Sequence, residues 1–387
     1  MSTTDFELPS MSAIDQTFEL QFSSENATAT RTSNIAFTGK AGEYFGIWIV
    51  NVLLTILTLG IYSAWAKVRT QQYFLGHTKV DGHAFRYLAT PGQILKSRIL
   101  ALAVISAISV LSHFFIEVTL FAMVAAIFIV PLLLIQALKF NLRMTSYRNV
   151  RFGFHGRYIE AFINFIVMPL LSLLTFGWLM PYMKKRIDKF IYENISYGGQ
   201  RPIVNNRGWY YYLAAFRLYL VTIAWTIFSV AFVIAIAATT SSLNGINFDD
   251  LSSSAFNELP TESIIMTLVI PSIFVGLLAI SFLEAFSKKL IRNHLFDSAQ
   301  FVGLASFKSN VDTFDLGTVI FGNYLINLCS LGFGYPITKI RSAAYFARVT
   351  EVTIYAEVDL YIDQLNQNSS AFLEEAADLY DVEFSLT

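Results

Sequence analysis

The sequence has few charged residues and a single cysteine in a chain of 387 residues. Only 14% of its residues are charged, whereas ordinary soluble domains carry about 25%. The composition therefore argues against a string of soluble domains. One cysteine excludes an intramolecular disulfide, and the position of Cys329 in an apolar run predicts a small buried side chain.

Basic residues are absent from two long stretches, 99–138 and 218–287, although the chain contains 27 Lys and Arg. As a helix, the first stretch would be about 60 Å long, enough for two crossings of a ~30 Å hydrocarbon core. It predicts a transmembrane hairpin that turns near Glu117. The second stretch predicts another hairpin over 218–286, with a polar loop between its two apolar runs.

Signatures of soluble enzymes and of nucleic-acid binding are also missing. The sequence has no P-loop, no dinucleotide-binding glycine pattern and no nucleophile elbow. His77 and His83 lack cysteine or acidic partners at the spacing of a zinc site. A net charge of −1 gives no basic excess for nucleic acid. We expect no catalytic activity, no cofactor, no metal and no nucleic-acid partner.

One segment occurs three times without gaps, at residues 43–69, 160–186 and 315–341. Each copy, here called a unit, begins with a carboxylate, has a hydroxyl residue two positions before a glycine, and ends in Lys-x-Arg. The carboxylates are Glu43, Glu160 and Asp315; the hydroxyl–glycine pairs are Thr58 and Gly60, Thr175 and Gly177, Ser330 and Gly332; the basic pairs are Lys67 and Arg69, Lys184 and Arg186, Lys339 and Arg341. Asn51 in the first unit matches Asn323 in the third, whereas the second has Met168.

These patterns predict an all-α integral membrane protein: a polytopic helix bundle of three repeat units and two transmembrane hairpins. Short segments rich in β-branched and aromatic residues or glycine, at 149–155, 194–204 and 349–360, predict small β elements at the membrane surface. The predicted organisation is a disordered polar tail over 1–36, a membrane domain over 37–350 and an acidic tail over 351–387.

The charge distribution predicts the orientation. Loops rich in Lys and Arg face the cytoplasm, so the turns of both hairpins should face outward. The second and third units are basic on both flanks, which favours re-entrant hairpins that fold back near the Thr/Ser-x-Gly. The alternative is a plain crossing, because each unit has an apolar stretch long enough to span the bilayer.

Several polar residues of the units are candidates for a pathway or an interface. The Lys-x-Arg pairs would form a basic ring if the units packed around one axis, or they are interfacial anchors. The three opening carboxylates either are stabilised by the dipole at a helix N-terminus, or coordinate ions or pair with the lysines. Asn51 and Asn323 either bridge helices or line a polar cavity.

The strings EYFGIWIVN (43–51), LTILTLGIY (54–62) and YRNVRFGF (147–154) resemble motifs of the YjgN-like family of bacterial inner-membrane proteins. The resemblance covers about residues 37–350. It implies a multi-pass protein of the bacterial inner membrane. It implies no activity, because that family is one of unknown function.

Two functional hypotheses remain open. Internal repeats with glycine-broken helices favour a transporter or channel-like pathway for a small solute or ion. The alternative is a non-catalytic scaffold or adaptor that binds lipid or partner proteins. In both cases the bilayer is the surrounding partner, with basic faces toward anionic lipid headgroups; the sequence identifies no protein partner.

Overall fold

The computed structural model describes residues 31–243, 269–355 and 358–365 together with Gln367, and of residues 237–243 only the backbone. Within these residues the helices are numbered in chain order. They are α1 Ala41–Leu57, α2 Ser63–His77, α3 Pro91–Phe114, α4 Ile116–Arg143, α5 Tyr158–Leu174, α6 Met180–Glu193, α7 Gly208–Leu243, α8 Ile270–Ser298, α9 Thr313–Cys329, α10 Tyr335–Arg348 and α11 358–365. Helix α5 contains a π-helical turn at Ile163–Val167.

Short antiparallel strands separate the helical pairs. They are β1 Arg31–Asn34, β2 Ala36–Phe37, β3 Thr78–Val80, β4 His83–Tyr87, β5 Thr145–Tyr147, β6 Val150–Phe154, β7 Ile195–Tyr197, β8 Ile203–Val204, β9 Ala299–Phe301, β10 Ala305–Ser309 and β11 Thr350–Ile354. One sheet has the order β1-β11-β10-β9-β8, and the other runs in chain order from β2 to β7.

The two sheets share two chain segments, and this closes the strands into a ring. Residues 31–37 pair with β11 through β1 and with β3 through β2. Residues 195–204 pair with β6 through β7 and with β9 through β8. Around the ring, each strand is therefore next to the strands that precede and follow it in the sequence. The last strand, β11, pairs with the first, β1. We call this assembly the β ring.

All five helical pairs leave the β ring and return to it at adjacent strands. Around α1–α2, Phe37 pairs with Thr78; around α3–α4, Tyr87 pairs with Thr145. The other three pairs are closed in the same way, with Phe154 beside Ile195, Val204 beside Ala299, and Ser309 beside Thr350. Because paired residues are neighbours in space, both ends of every helical pair lie on the same side of the molecule.

Local sequence explains where the long helices begin and end. Pro91 occupies the first turn of α3, and a capping box joins Thr90 and Gln93, with the Thr90 N–H donating to Gln93 Oε1 at 3.2 Å. The helix breaks at Phe115, two residues before Glu117, where the sequence predicts a turn. The predicted loop between α7 and α8 lies largely in residues 244–268, outside the described residues.

The largest cluster of buried apolar residues in the described part of the chain lies at the β ring. Its buried members come from both sheets and from α11: Val80, Val150, Tyr197, Leu304, Val352, Ile354, Val358 and Ile362. Helix α11 therefore fills the ring as a plug. The predicted tails differ here from the structure, since residues 31–36 enter strands and residues 351–354 and 358–365 enter the ring and its core.

One minor interpretation of the sequence is wrong. Cys329 is exposed in the chain, because it lies at the end of α9 where the unit turns. Arg148 and Asn149 of the YRNVRFGF string occupy the β5–β6 turn with φ of 48° and 67°.

Candidate functional site

The turn of each unit, here called its tip, has the same backbone geometry in all three. Leu59, Phe176 and Leu331 have φ of 48°, 50° and 49°, and the glycine that follows each has φ of 92°, 86° and 90°. The glycine N–H donates to the carbonyl five residues earlier, as in Gly60 N to Thr55 O at 2.8 Å, and the residue before it bonds three back. This is a Schellman motif with the left-handed position held by a large apolar residue.

The hydroxyl before each glycine satisfies polar groups of the turn. Thr58 Oγ1 donates to Leu54 O at 2.7 Å and accepts from Tyr62 N at 2.9 Å. Ser330 Oγ donates to Ile326 O and accepts from Gly334 N, both at 2.6 Å. The backbone of the turn is thus bonded internally, as an apolar environment requires.

The tips are the most exposed apolar part of the units. Leu59, Phe176 and Leu331 are 96%, 101% and 89% exposed. Further large apolar side chains flank them and are also exposed, among them Leu57, Ile61, Leu174, Trp178, Leu328 and Phe333. An apolar surface of this kind marks contact with lipid or with another protein.

The three carboxylates that open the units lie at the ring-side end of α1, α5 and α9, in the first helical turn. Glu43 pairs with Lys40 at 3.6 Å and accepts from Tyr73 Oη at 3.3 Å. Glu160 is half-buried and Asp315 is exposed. Among the described residues, none of the three forms an ion pair with a Lys-x-Arg, so the structure does not bring these predicted groups together.

The Lys-x-Arg pairs lie on the second helix of each unit, and their observed contacts are with residues of that unit or of the same helix. Lys184 pairs with the buried Asp188 at 2.6 Å, and Arg186 Nε donates to Asn164 Oδ1 at 3.0 Å. In the third unit, the Lys339 ammonium faces the Tyr335 ring and the Arg341 guanidinium packs against Gly322. In the first unit, Arg69 faces the Tyr62 ring at 6.0 Å, and Lys67 is half-buried.

Buried or half-buried amides occur in the first helix of each unit. Asn51 is 5% exposed, and neither its Oδ1 nor its Nδ2 has a hydrogen-bond partner among the described residues. Asn323 Nδ2 donates to Ser342 Oγ at 3.0 Å, but its Oδ1 and that of Asn327 have no partner there. Asn164, which bonds Arg186, was not a sequence candidate because it does not align with Asn51.

The sequence did not predict a charged network that joins α11 to the β ring. Asp359 of α11 pairs with Arg148 in the β5–β6 turn and with Arg31 of β1, the latter at 3.2 Å. Arg31 also pairs with Asp81 in the β3–β4 turn at 2.6 Å. These four residues, here called the latch, come from distant parts of the chain. Only a hydrogen-bonded ring could bring them together.

The latch and the plug alter the titration of ring residues. The hydrogen bond from Arg148 lowers the pKa of Asp359 below its usual range. Burial raises the pKa of Tyr197, whose hydroxyl donates to Tyr147 O at 3.1 Å. On the plug, Tyr361 Oη donates to Gly198 O at 2.8 Å. The plug is thus held by apolar packing, a hydrogen bond and two ion pairs.

Among the described residues, four helices are long and apolar enough to cross a membrane: Pro91–Phe114, Ile116–Arg143, Gly208–Ile236 and Ile270–Ser298. Their apolar windows bury only 6%, 11%, 0% and 17% of their residues within the chain. Helices hydrophobic on all sides and unburied by protein need lipid or another subunit around them. Among the described residues no cluster of three or more His, Cys, Asp or Glu has the arrangement of a metal site.

Fold and surface together define a helical, multi-pass membrane protein. The chain belongs to the family described as bacterial protein of unknown function (DUF898), which matches residues 32–379. This match begins at β1 and extends past the plug, so the β ring and α11 lie within it. No solved structure matches the chain.

The similar proteins include several that carry the name inner membrane protein YjgN. The one from Salmonella typhimurium is 34% identical over 144 residues, which are 36% of each chain. The one from Escherichia coli (strain K12) is 31% identical over 147 residues, 37% of this chain and 36% of the relative. The chain thus aligns with little more than a third of the length of these curated relatives. With the four apolar helices, these findings place it in the bacterial inner membrane, as the YjgN-like resemblance implied.

Proposed function

We propose that this protein is a non-catalytic scaffold or adaptor of the inner membrane, in which five helical pairs hold a plugged β ring at the cytoplasmic face. The observation that carries the proposal is that the ends of every helical pair are hydrogen-bonded neighbours in the ring. A ring anchored in this way is a rigid platform whose outer rim, made of the strand turns, is free to meet partner proteins.

Charge supports a cytoplasmic ring. The ring and its connections to the helices carry exposed basic residues, including Arg86, Arg143, Arg151, Arg157, Arg201 and Lys308. The α3–α4 turn at the opposite end has none. Since segments rich in Lys and Arg remain in the cytoplasm, the ring faces inward and the α3–α4 turn faces outward.

In this arrangement the three units are re-entrant. Their first helices are 17 residues long in α1 and α9, which corresponds to a helix length of about 25 Å. Each first helix is followed at once by a return helix that carries a basic pair. The units therefore insert their apolar tips into the bilayer from the cytoplasmic side, while the Lys-x-Arg pairs, which lie in the tip-side half of each return helix, extend their long side chains toward the headgroups. The repeated sequence is then a repeated anchor.

The long helices favour a scaffold over a pathway. A carrier or channel needs a polar path lined by protein, and the described parts of these helices expose apolar side chains on nearly every side. One observation favours the transport hypothesis: the side-chain amide oxygens of Asn51, Asn323 and Asn327, which have no hydrogen-bond partner among the described residues, would suit a solute or water.

Thiol labelling tests the placement. In a Cys329→Ala background we would introduce single cysteines at the exposed Arg157 and Arg201, which flank the second unit, and at Phe115 in the α3–α4 turn. We expect a membrane-impermeant reagent to label Phe115→Cys on intact spheroplasts, and the other two only after permeabilisation. Labelling of either flank from outside would show that the unit crosses, and would remove the re-entrant arrangement.

Flux measurements separate the two functions. Sealed proteoliposomes of the full chain should show no protein-dependent flux of potassium, chloride or phosphate if the protein is a scaffold. A flux that is abolished by Asn51→Leu or Asn323→Leu would overturn the scaffold proposal and support transport. The matched control is Asn205→Leu, an exposed amide in the ring connection.

A further inference from the structure

We propose that the junction of α2 and α3 is a binding site for the headgroup of an anionic phospholipid. The proposal rests on the cytoplasmic placement of the units and specifies what this surface binds. Four cations lie on the two helices of this junction: Lys67 and Arg69 on α2, Lys96 and Arg98 on α3. The Arg98 side chain reaches the tip of the first unit, where its Nη1 donates to Ser63 Oγ.

The two helices are fixed against each other by apolar packing. Ala64 and Val68 of α2 are buried in one cluster with Ile94 of α3. This contact aligns the arginines on adjacent residues of the tip, with Arg98 on Ser63 and Arg69 over the Tyr62 ring at 6.0 Å. Two guanidinium groups therefore contact neighbouring residues of the chain.

Protein carboxylates do not neutralise this cluster. Neither α2 nor α3 contains an acidic residue, and none of the four cations forms an ion pair within the described residues. Between Tyr44 and Ile116 the only carboxylate is Asp81, which pairs with Arg31 of the β ring.

The second unit shows the contrast. There Lys184 pairs with Asp188 at 2.6 Å, and Lys189 pairs with Glu193 at 3.8 Å. Its helix α6 thus compensates part of its own basic charge. The first junction needs an anion from elsewhere, and guanidinium groups bind phosphate through two parallel charge-assisted hydrogen bonds.

The position along α3 favours a lipid as the source of that phosphate. Lys96 and Arg98 lie about 8–11 Å from the start of α3 at Pro91, at the ring-side end of a helix that is long enough to span the membrane. Directly after them come Ile99 and Leu100, 57% and 67% exposed, where acyl chains would lie. Basic sites beside helix ends on the cytoplasmic side suit anionic headgroups.

The test compares lipid binding by variants of the full chain with equal loss of charge. Retention of phosphatidylglycerol by the detergent-solubilised protein would be measured by native mass spectrometry, with phosphatidylcholine as the neutral probe. Arg69→Gln with Arg98→Gln should weaken phosphatidylglycerol binding at least tenfold. The matched variant Lys184→Gln with Lys189→Gln should remain within twofold of the wild type, because those cations have protein partners.

Equal losses in both variants would overturn the site, and so would equal retention of the two lipids by the wild type. Displacement of phosphatidylglycerol by millimolar inorganic phosphate would assign the site to a free anion instead. Wild-type binding must also weaken as ionic strength rises; this needs no variant and decides the matter if the double variant fails to fold. Thiol labelling of the flanks tests the orientation separately, so a failed lipid site leaves the scaffold standing.

Discussion

Replacing Ile362 with alanine should release the plug from the β ring. The side chain is 1% exposed and lies in the core shared by both sheets. An Ile→Ala change in a packed core costs about 2–5 kcal/mol. The plug is short, and the ring can partly collapse around it, so we expect the lower end, about 2 kcal/mol. That corresponds to an approximately 30-fold larger undocked population.

The assay is amide hydrogen exchange of peptides covering 358–365, measured by mass spectrometry on the protein in micelles. Local opening governs this exchange, so the rate should rise about 30-fold in Ile362→Ala. The matched control is Leu360→Ala, two residues away on the same helix but 68% exposed. It should change the exchange little. Equal rates in the two variants would refute the idea that packing inside the ring holds the plug.

Three further outcomes follow from the geometry. Asp359→Asn should raise the same exchange up to about fivefold, because half-exposed ion pairs contribute about 1 kcal/mol or less. The pKa of Asp359 is lowered in the fold, so the protection of the wild-type plug should fall as the pH drops through that pKa. The variant should lack this pH-dependent loss. Gly177→Ala should lower the unfolding temperature by about 2–4 °C, since φ is 86° there, whereas Gly42→Ala, with open space around it, should not. In a variant that keeps Trp178 as its only tryptophan, brominated acyl chains should quench the fluorescence of Trp178, whereas a water-soluble quencher should not.

Local patterns predicted the helices well. Long apolar runs without Lys or Arg became α3, α4, α7 and α8, because a run of that length satisfies its backbone only as a helix in lipid. The Thr/Ser-x-Gly of each unit marked a turn, and Gly60, Gly177 and Gly332 adopt positive φ there. These features depend on residues close in sequence.

The ring could not be predicted from such patterns. Strands β2 and β8 have two residues each, too few for an alternation of apolar and polar residues to be read. Pairing joins segments far apart in the chain, as in Arg31 with Ile354. The acidic composition after Arg348 suggested a solvated tail, yet Val358 and Ile362 are buried. Their burial depends on a cavity that exists only once the ring has closed.

For the candidate polar residues, too, the sequence predicted one part and only the tertiary structure decided the other. Sequence repetition identified Lys67, Lys184 and Lys339 as equivalent, but tertiary contacts give them different surroundings: only Lys184 has a buried carboxylate, Asp188, beside it. Repetition preserves a position along a helix, whereas the partner at that position comes from whichever element packs there.

The sequence by itself determined the membrane class, the apolar helices, the glycine turns and the basic flanks, because each arises from local composition and from the solvation of nearby groups. Only the tertiary structure decided that all five helical pairs return to one ring, that α11 closes it, and that Arg31, Asp81, Arg148 and Asp359 meet. The physical reason is that closure pairs strands across the whole chain, and no local preference encodes which distant strand satisfies a given edge.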